Sequence, residues 1–387
     1  MSLAQTFRRL RAAIAYMGLP ENERRLTFYS EGQNYFSYLG GMLNHVLENS
    51  DIDVCYISSS PNDPGLKISH PRLKQFEIGE GVVRDFLLSN MDTRIFVTTM
   101  PDIGQYQVKK SKKNVHYVYV QHSLVSLHMV YRPGAFDAYD TIFCAGPHHL
   151  VEMRALEGHR NLAPKRLFNH GYVRLDEIRR TAKAASNVAK SHALADQRHA
   201  LLAPSWGDNA IIESGVGKII VDKLLSQGHA VTLRPHPQTI KFHGEKVDEI
   251  VDTYKDHPSF VYEGNVFTQD SLHTSDVMIC DWSGAALDYA FGLLKPVIFI
   301  DVPRKVNNPE YTEIDVEPFE VFIRNEVGCV VDPSELDKLD INFETNVKSE
   351  LADKNVFNIE RSGEVGGEEL IRMTLSLIHI SEPTRPY

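Results

Sequence analysis

Four short polar clusters punctuate the chain, each directly after a run of β-type residues. Gln121-His122-Ser123 follows HYVYV, Ser205-Trp206-Gly207-Asp208 follows ALLAP, Arg234-Pro235-His236-Pro237 follows AVTL, and Asp281-Trp282-Ser283-Gly284 follows DVMIC. A neutral imidazole at His122 can take a proton from an incoming hydroxyl. His236 lies between two prolines that fix the chain in an extended or turning path. It can donate to a phosphate oxygen or protonate a leaving group, and Arg234 adds charge beside it. Ser283 or Asp281 can cap a helix that starts near Ala285, while Gly284 lets the backbone come close to a bound group. Free amides and the dipole at such a start attract phosphate. Asp281 would repel a phosphate directly beside it, so its expected part is to orient the loop or bond a hydroxyl. Taken alone, 281–284 reads equally well as a simple helix cap. Four such clusters together suggest a lined site, with Ser205 among its donor-side residues.

The elements that position these clusters alternate regularly. Strand-like runs at 26–30, 53–58, 93–99, 116–121, 141–146 and 166–171 are interleaved with helical patterns such as 34–48 and 81–89. They are apolar without clean alternation, as strands buried on both faces are. A polar, alanine-rich stretch from Asp176 to His199 reads as a connecting helix or linker. The alternation then restarts at 200–206, 230–237, 259–264, 276–281, 296–301 and 328–332. Two such series predict an α/β fold of two Rossmann-like, doubly wound domains facing across a cleft, with ligands beyond the carboxyl ends of the strands. The expected boundaries are 1–185 and 186–374. Residues 375–387, LSLIHISEPTRPY, resemble a translated sequencing adapter and are expected to lie outside the natural fold, with the natural C-terminus lost.

Composition narrows the function. The chain is 42% hydrophobic and 24% charged, with a formal net charge of −10, which argues against nucleic acid as a partner. Its four cysteines are far apart and form no CxxC, so neither a zinc cage nor a disulfide framework is expected, and a reducing cytoplasm fits best. No metal and no cofactor is expected; His148-His149 with Glu152 lacks a third ligand. No apolar run reaches the roughly 18 residues of a membrane span. Arginines at 8, 9, 11, 24 and 25 and lysines at 109, 110, 112 and 113 form basic runs. They read first as solvated faces and second as contacts for an anionic membrane surface or a phosphate-rich acceptor. Leu3, Phe7, Leu10, Ile14 and Met17 recur at helical spacing among the arginines, the pattern of a docked first helix or an interfacial one. The motifs GxxxxGK[ST], GxGxxG, GxSxG and HExxH are absent, against a P-loop enzyme, a dinucleotide dehydrogenase, a serine hydrolase or a zincin.

The ordered set HGYVRLD (170–176), LLAPSWGDN (201–209), LRPHPQ (233–238) and SDVMICDWSGAALDYAFGLLKPVIFID (275–301) resembles the CDP-glycerol glycerophosphotransferase family of cell-envelope polymer synthesis. The resemblance is strongest over 166–301. It implies a GT-B-type fold, an acceptor domain at 1–185, a nucleotide-donor domain at 186–374, and no metal requirement. Carried over, His122 is the general base on the acceptor hydroxyl. His236 and the Ser283–Gly284 loop hold the donor phosphates, with Arg234 and Asp281 in support. The implied partners are CDP-glycerol or another nucleotide-activated donor and a polymer or lipid-linked acceptor. The implied location is cytoplasmic, at the inner membrane face. Three positions depart from the family pattern: Ser123 for a glycine, Trp282 for a tyrosine, Gly284 for a serine or threonine. They leave open a sugar-nucleotide glycosyltransferase for capsule or lipopolysaccharide, a non-catalytic nucleotide- or glycan-binding relative, and an epimerase of the same architecture.

Overall fold

Parallel strands buried on both faces form two separate sheets. The structure is a computed structural model that describes residues 3–106, 108–185, 197–264, 270–342 and 347–381. The first sheet comprises β1 (Leu26–Ser30), β2 (Val54–Ser58), β3 (Leu73–Glu77), β4 (Ile95–Thr98), β5 (His116–Val120), β6 (Thr141–Cys144) and β7 (Arg166–Asn169), in the order β3-β2-β1-β4-β5-β6-β7. The second comprises β8 (His199–Leu202), β9 (Ala230–Leu233), β10 (Phe260–Tyr262), β11 (Val277–Cys280), β12 (Val297–Ile300) and β13 (Gly328–Val331), in the order β10-β9-β8-β11-β12-β13. All neighbouring pairs are parallel, with α-helices between most successive strands, as the alternation predicts; β2 and β3 are joined through a short 3-10 turn, and β4 and β5 through a loop with no helix among its described residues. The sequence reading passed over β3. Its LKQFE mixes charged and polar residues with only two apolar ones, and four of its five residues are only partly buried, as suits an edge strand.

Strand order reverses between β1 and β4 in the first sheet and between β8 and β11 in the second. At such a switch point the connections leave toward opposite faces, which opens a crevice at the carboxyl ends. Beneath each crevice lies an apolar core. Val97, Val118 and Phe143 pack with Leu43 and Val46 of the helix Phe36–Asn49 in the first. Val277, Ile279 and Ile298 pack with Ile220 and Leu224 of the helix Val216–Ser226 in the second.

The chain is divided differently from the expected 1–185 and 186–374. One unit comprises residues 1–123, 131–176 and 356–387; the other comprises 124–130 and 177–355. The helix Ser362–Ser381 belongs to the first unit, where Leu370 and Met373 join the core. It overlaps the expected extraneous tail; residues 382–387 lie outside the described residues, as does 186–196 of the expected linker.

The segment 170–176 clamps this helix. Asp176 Oδ1 accepts from the Glu360 amide at 2.7 Å and the Ser362 hydroxyl at 3.0 Å, and Oδ2 accepts from the Gly363 amide at 3.3 Å. The Ser362 hydroxyl oxygen in turn accepts from the Tyr172 amide at 2.9 Å. Gly171 has φ +104, and a Cβ there would lie 2.4 Å from the Phe357 carbonyl oxygen. The short excursion Leu124–Val130 is held within the second unit. Ser126 donates its amide and hydroxyl to Glu320 at 2.8 and 2.9 Å, and Asn308 Nδ2 donates to the His128 carbonyl at 2.8 Å.

Gly171→Ala is expected to cost about 3 kcal/mol, because left-handed strain and a backbone clash add. Gly81→Ala, at φ +82 with open space around it, is expected to cost about 1 kcal/mol. Urea unfolding midpoints of the two variants check the difference.

Candidate active site

At the switch point of the second sheet, the carboxylate of Asp281 joins two strand-end loops. Asp281 follows β11 and is 1% exposed. Its Oδ1 accepts from the Ser205 amide at 2.7 Å and its Oδ2 from the Ile211 amide at 3.1 Å. The loop after β8 is therefore shaped by a side chain from the neighbouring strand, the orienting part expected of Asp281. Ser205 is buried within that arrangement.

Trp282 turns into the core. Its indole Nε1 donates to the Val302 carbonyl at 2.8 Å, and the Arg324 guanidinium lies 4.0 Å from the ring centre. Arg324 is itself paired with Asp301 at 2.7 Å. This departure from the family pattern is thus a packing position. Ser283 stands one residue before the helix Ala285–Leu293, whose N-cap is Gly284 with no side-chain cap bond, so the expected capping role falls to neither Ser283 nor Asp281. The Ser283 hydroxyl oxygen accepts from the Ala285 amide at 3.3 Å and its carbonyl from the Ala286 amide at 3.1 Å. Gly284 adopts φ −61, ψ −23, which any residue can adopt, so its contribution is the missing side chain.

His236 sits at the start of the short helix Pro237–Phe242. Its Nδ1 accepts from the Gln238 amide at 3.1 Å, so in the neutral ring the proton is on Nε2. Burial pushes its pKa down to about 4, with Lys305 adding to the effect. Near neutral pH, His236 is an uncharged donor, and the expected role of protonating a leaving group does not suit the unliganded ring. Trp206 stacks on it with ring centres 6.0 Å apart and planes at 27°. Lys305 Nζ stands 4.6 Å above the Trp206 ring. Burial lowers the Lys305 pKa, against the pull of Asp281 and Glu213. Arg234 is buried and pairs with Glu263 at 3.6 Å, which makes it a support. Lys305 and the stacking role of Trp206 escaped the sequence reading. The signal for Lys305 was available: it follows β12, the strand beside β11, on the same carboxyl side.

In the first sheet His122 follows β5, and its ring turns back toward Tyr119, whose hydroxyl is 3.0 Å from Nδ1. Tyr35, Tyr38, Tyr119 and Tyr131 surround it with ring centres at 6.0, 6.1, 6.2 and 5.8 Å. The Tyr172 hydroxyl donates to the His122 carbonyl at 3.2 Å. Burial pushes the imidazole pKa down to about 4, partly opposed by the Thr99 backbone. The ring is neutral near pH 7, as a base must be. This tyrosine cup was not legible from the sequence, because its members come from three separate segments. Among the described residues no group of three or more His, Cys, Asp or Glu could hold a metal ion.

Residues 136–305 match the family model described as CDP-glycerol:poly(glycerophosphate) glycerophosphotransferase. Over that segment the chain is similar to this family. The family segment carries Ser205, Arg234, His236, Asp281, Ser283, Gly284 and Lys305, whereas His122 lies before it. In fold the chain is similar to the wall teichoic acid polymerase TagF, at 12% identity and a TM-score of 0.55, over 96% of this chain and 95% of that one. A TagF variant soaked with CDPG gives 0.54 at 12% identity, with the same coverage. UDP-GlcNAc 2-epimerase from Methanocaldococcus jannaschii is 15% identical with a TM-score of 0.54, over 91% of this chain and 99% of that one. At these identities the shared feature is the fold, two doubly wound α/β domains of the GT-B type. No curated protein sequence is significantly similar to the chain.

Asp281→Ala leaves two buried amides without their acceptor and is expected to cost about 3 kcal/mol. Hydrogen exchange should show the Ser205 and Ile211 amides losing protection; unchanged protection would contradict the bracing role.

Proposed function

We propose that the chain transfers glycerol phosphate from CDP-glycerol to a hydroxyl of a cell-envelope polymer or glycolipid. The observation that carries this reading is the family match over the strand-end loops of the second sheet. The donor phosphates lie against those loops, where the His236 Nε2–H, the Lys305 ammonium and the Ser283 hydroxyl offer donors. Asp281 and Arg234 brace the loops from behind. Trp206, stacked on His236 and beneath Lys305, offers an aromatic face at the same place.

His122 takes the proton from the acceptor hydroxyl. The freed oxygen attacks the β-phosphorus, the bond from that phosphorus to the bridging oxygen breaks, and CMP leaves. For Nε2 of His122 to act as the base, Nδ1 must keep its proton, and the Tyr119 oxygen at 3.0 Å is placed to accept it. A ring with a pKa near 4 is a weak base, and the negative charge of a bound donor raises it toward the useful range. Lys305 and His236 act on the leaving phosphate, where fixed donors matter most.

His122→Ala is expected to lower transfer by at least ~100-fold, while calorimetry shows CDP-glycerol still bound and preferred over CMP- and UDP-sugars. Near-normal transfer removes His122 from the mechanism; preference for a sugar nucleotide overturns the donor. Because the active imidazole is the unprotonated one, kcat/KM for CDP-glycerol, which reports the free enzyme, should fall only as pH drops toward about 4, well below the ordinary histidine value of 6.5.

We further propose that the acceptor is met at an anionic membrane surface. No helix among the described residues is long and apolar enough to cross a membrane. The first helix, Leu3–Met17, buries Ala13 and Tyr16 and leaves Phe7, Leu10 and Ile14 exposed, at 70%, 38% and 55%. Val82 and Phe86 of the helix Val82–Asn90, which packs against it, are exposed as well. Arg8 and Arg11 flank this stripe on its exposed side. Apolar residues with arginines between them suit a headgroup boundary. The double variant Phe7→Asp/Ile14→Asp should bind phosphatidylglycerol vesicles at least ~10-fold more weakly in co-sedimentation, with CDP-glycerol affinity unchanged. Equal vesicle binding would reject this face.

A further inference from the structure

The switch point of the first sheet holds two polar side chains with unmet hydrogen-bonding capacity. Glu31 follows β1 directly, and its Oε2 is sealed from solvent with no hydrogen-bond partner among the described residues. Gln121 follows β5 and precedes His122; it is 1% exposed, and neither its Oε1 nor its Nε2 has a partner among the described residues. Buried polar atoms are nearly always satisfied, so two such groups together point to something absent that satisfies them.

The sheet register brings them to one place. Tyr29 pairs with Thr98 and Thr98 with Tyr119, so these three side chains share a face. Glu31 and Gln121 follow the carboxyl ends of β1 and β5, which β4 alone separates. Glu31 lies close enough to Tyr29, Tyr35 and Tyr119 for its charge to add to burial in pushing their pKa values up. The two strands are two strand spacings apart, about 10 Å. His122 is the next residue along, turned toward Tyr119. Glu31 also joins the tyrosine cup through the chain, since Tyr35 follows four residues later and lies against the His122 ring. A diol whose first hydroxyl bonds to an imidazole and whose second bonds to a carboxylate spans about 8 Å between those groups, within reach of side chains converging from that separation.

We propose that Glu31 and Gln121 form a hydroxyl-binding subsite beside His122 that selects acceptors ending in two adjacent hydroxyls. One hydroxyl is turned to His122, and its neighbour donates to the Glu31 carboxylate and accepts from Gln121 Nε2. The proposal rests on the reading of His122 as the base in glycerol phosphate transfer. Burial pushes the Glu31 carboxyl up to about 7, with Arg84 opposing and Glu80 and Asp102 adding. Near neutral pH the group is therefore present in both forms, and either one bonds a hydroxyl.

The test uses the full chain, CDP-glycerol, and two synthetic phosphodiester acceptors, one ending in glycerol and the other in a 3-hydroxypropyl group. The wild type is expected to favour the glycerol end by ~30-fold in kcat/KM, the usual size for hydrogen bonds to a charged group. Glu31→Met and Gln121→Met should each reduce that preference at least ~5-fold, leaving the rate on the single-hydroxyl acceptor and the CDP-glycerol affinity unchanged. Their Tm should hold or rise, because an apolar isostere removes an unsatisfied buried group. A preference retained in both variants, which would mark a site filled by water, overturns the proposal, as does equal slowing on both acceptors. Either variant that folds decides. A wild type that uses both acceptors equally rejects the subsite and leaves glycerol phosphate transfer standing. A wild type that binds CDP-glycerol but transfers to neither acceptor rejects the transfer reading and the subsite with it.

Discussion

A carboxylate shut away from water must find donors, and Asp281 finds two in the backbone of a loop from another strand. That requirement organises the second unit. Parallel pairing fixes where β8 and β11 end, yet nothing in the ladder dictates the path of the chain beyond the last paired residue. The carboxylate dictates it, by holding Ser205 and Ile211 to the end of β11. Trp206 then projects beside His236, and Lys305 settles over it. Trp282 and Arg324 lock the other side of the same turn into the core. Trp206, His236 and Lys305 are thus positioned by buried contacts made by other side chains, the division of labour that a preorganised site needs.

Both histidines singled out by the sequence are neutral for the same reason. Each lies in a place where burial disfavours the charged ring, with pKa values near 4. Their partners differ, and so do their roles. His122 meets a tyrosine hydroxyl that can take either end of the hydrogen bond, which leaves its tautomer adjustable. His236 accepts a backbone amide at Nδ1, which fixes the proton on Nε2 and makes the ring a donor. One imidazole is suited to accepting a proton, the other to coordinating an oxygen anion.

Much of this was legible in the residues. Runs such as HYVYV and DVMIC are too uniformly apolar for a half-exposed sheet, so two parallel sheets followed, and the polar clusters had to fall at their carboxyl ends. The loops 205–208 and 281–284 were placed correctly because short-range signals, proline and glycine, determine them. What stayed hidden depends on contacts distant in sequence. The tyrosines around His122 and the stack of Lys305 on Trp206 are ordinary residues until strand order brings them together. The division of the chain was hidden for the same reason: Asp176 and Gly171 looked like part of a functional motif, and they anchor a helix almost two hundred positions away. Edge strand β3 was missed because half-exposed charge masks its register.

That anchor has a bearing on how the protein is made. The first unit draws on three stretches of chain, and its core is closed by Leu370 and Met373 from the helix Ser362–Ser381. During synthesis the early strands emerge well before that helix, so the usual order, in which the leading domain folds while the next is translated, does not apply. The second unit needs only one short piece from earlier in the chain, Leu124–Val130, and that piece is already present when its own strands appear. The later unit can therefore mature first, and the unit that bears His122 is completed last, when the helix Ser362–Ser381 docks.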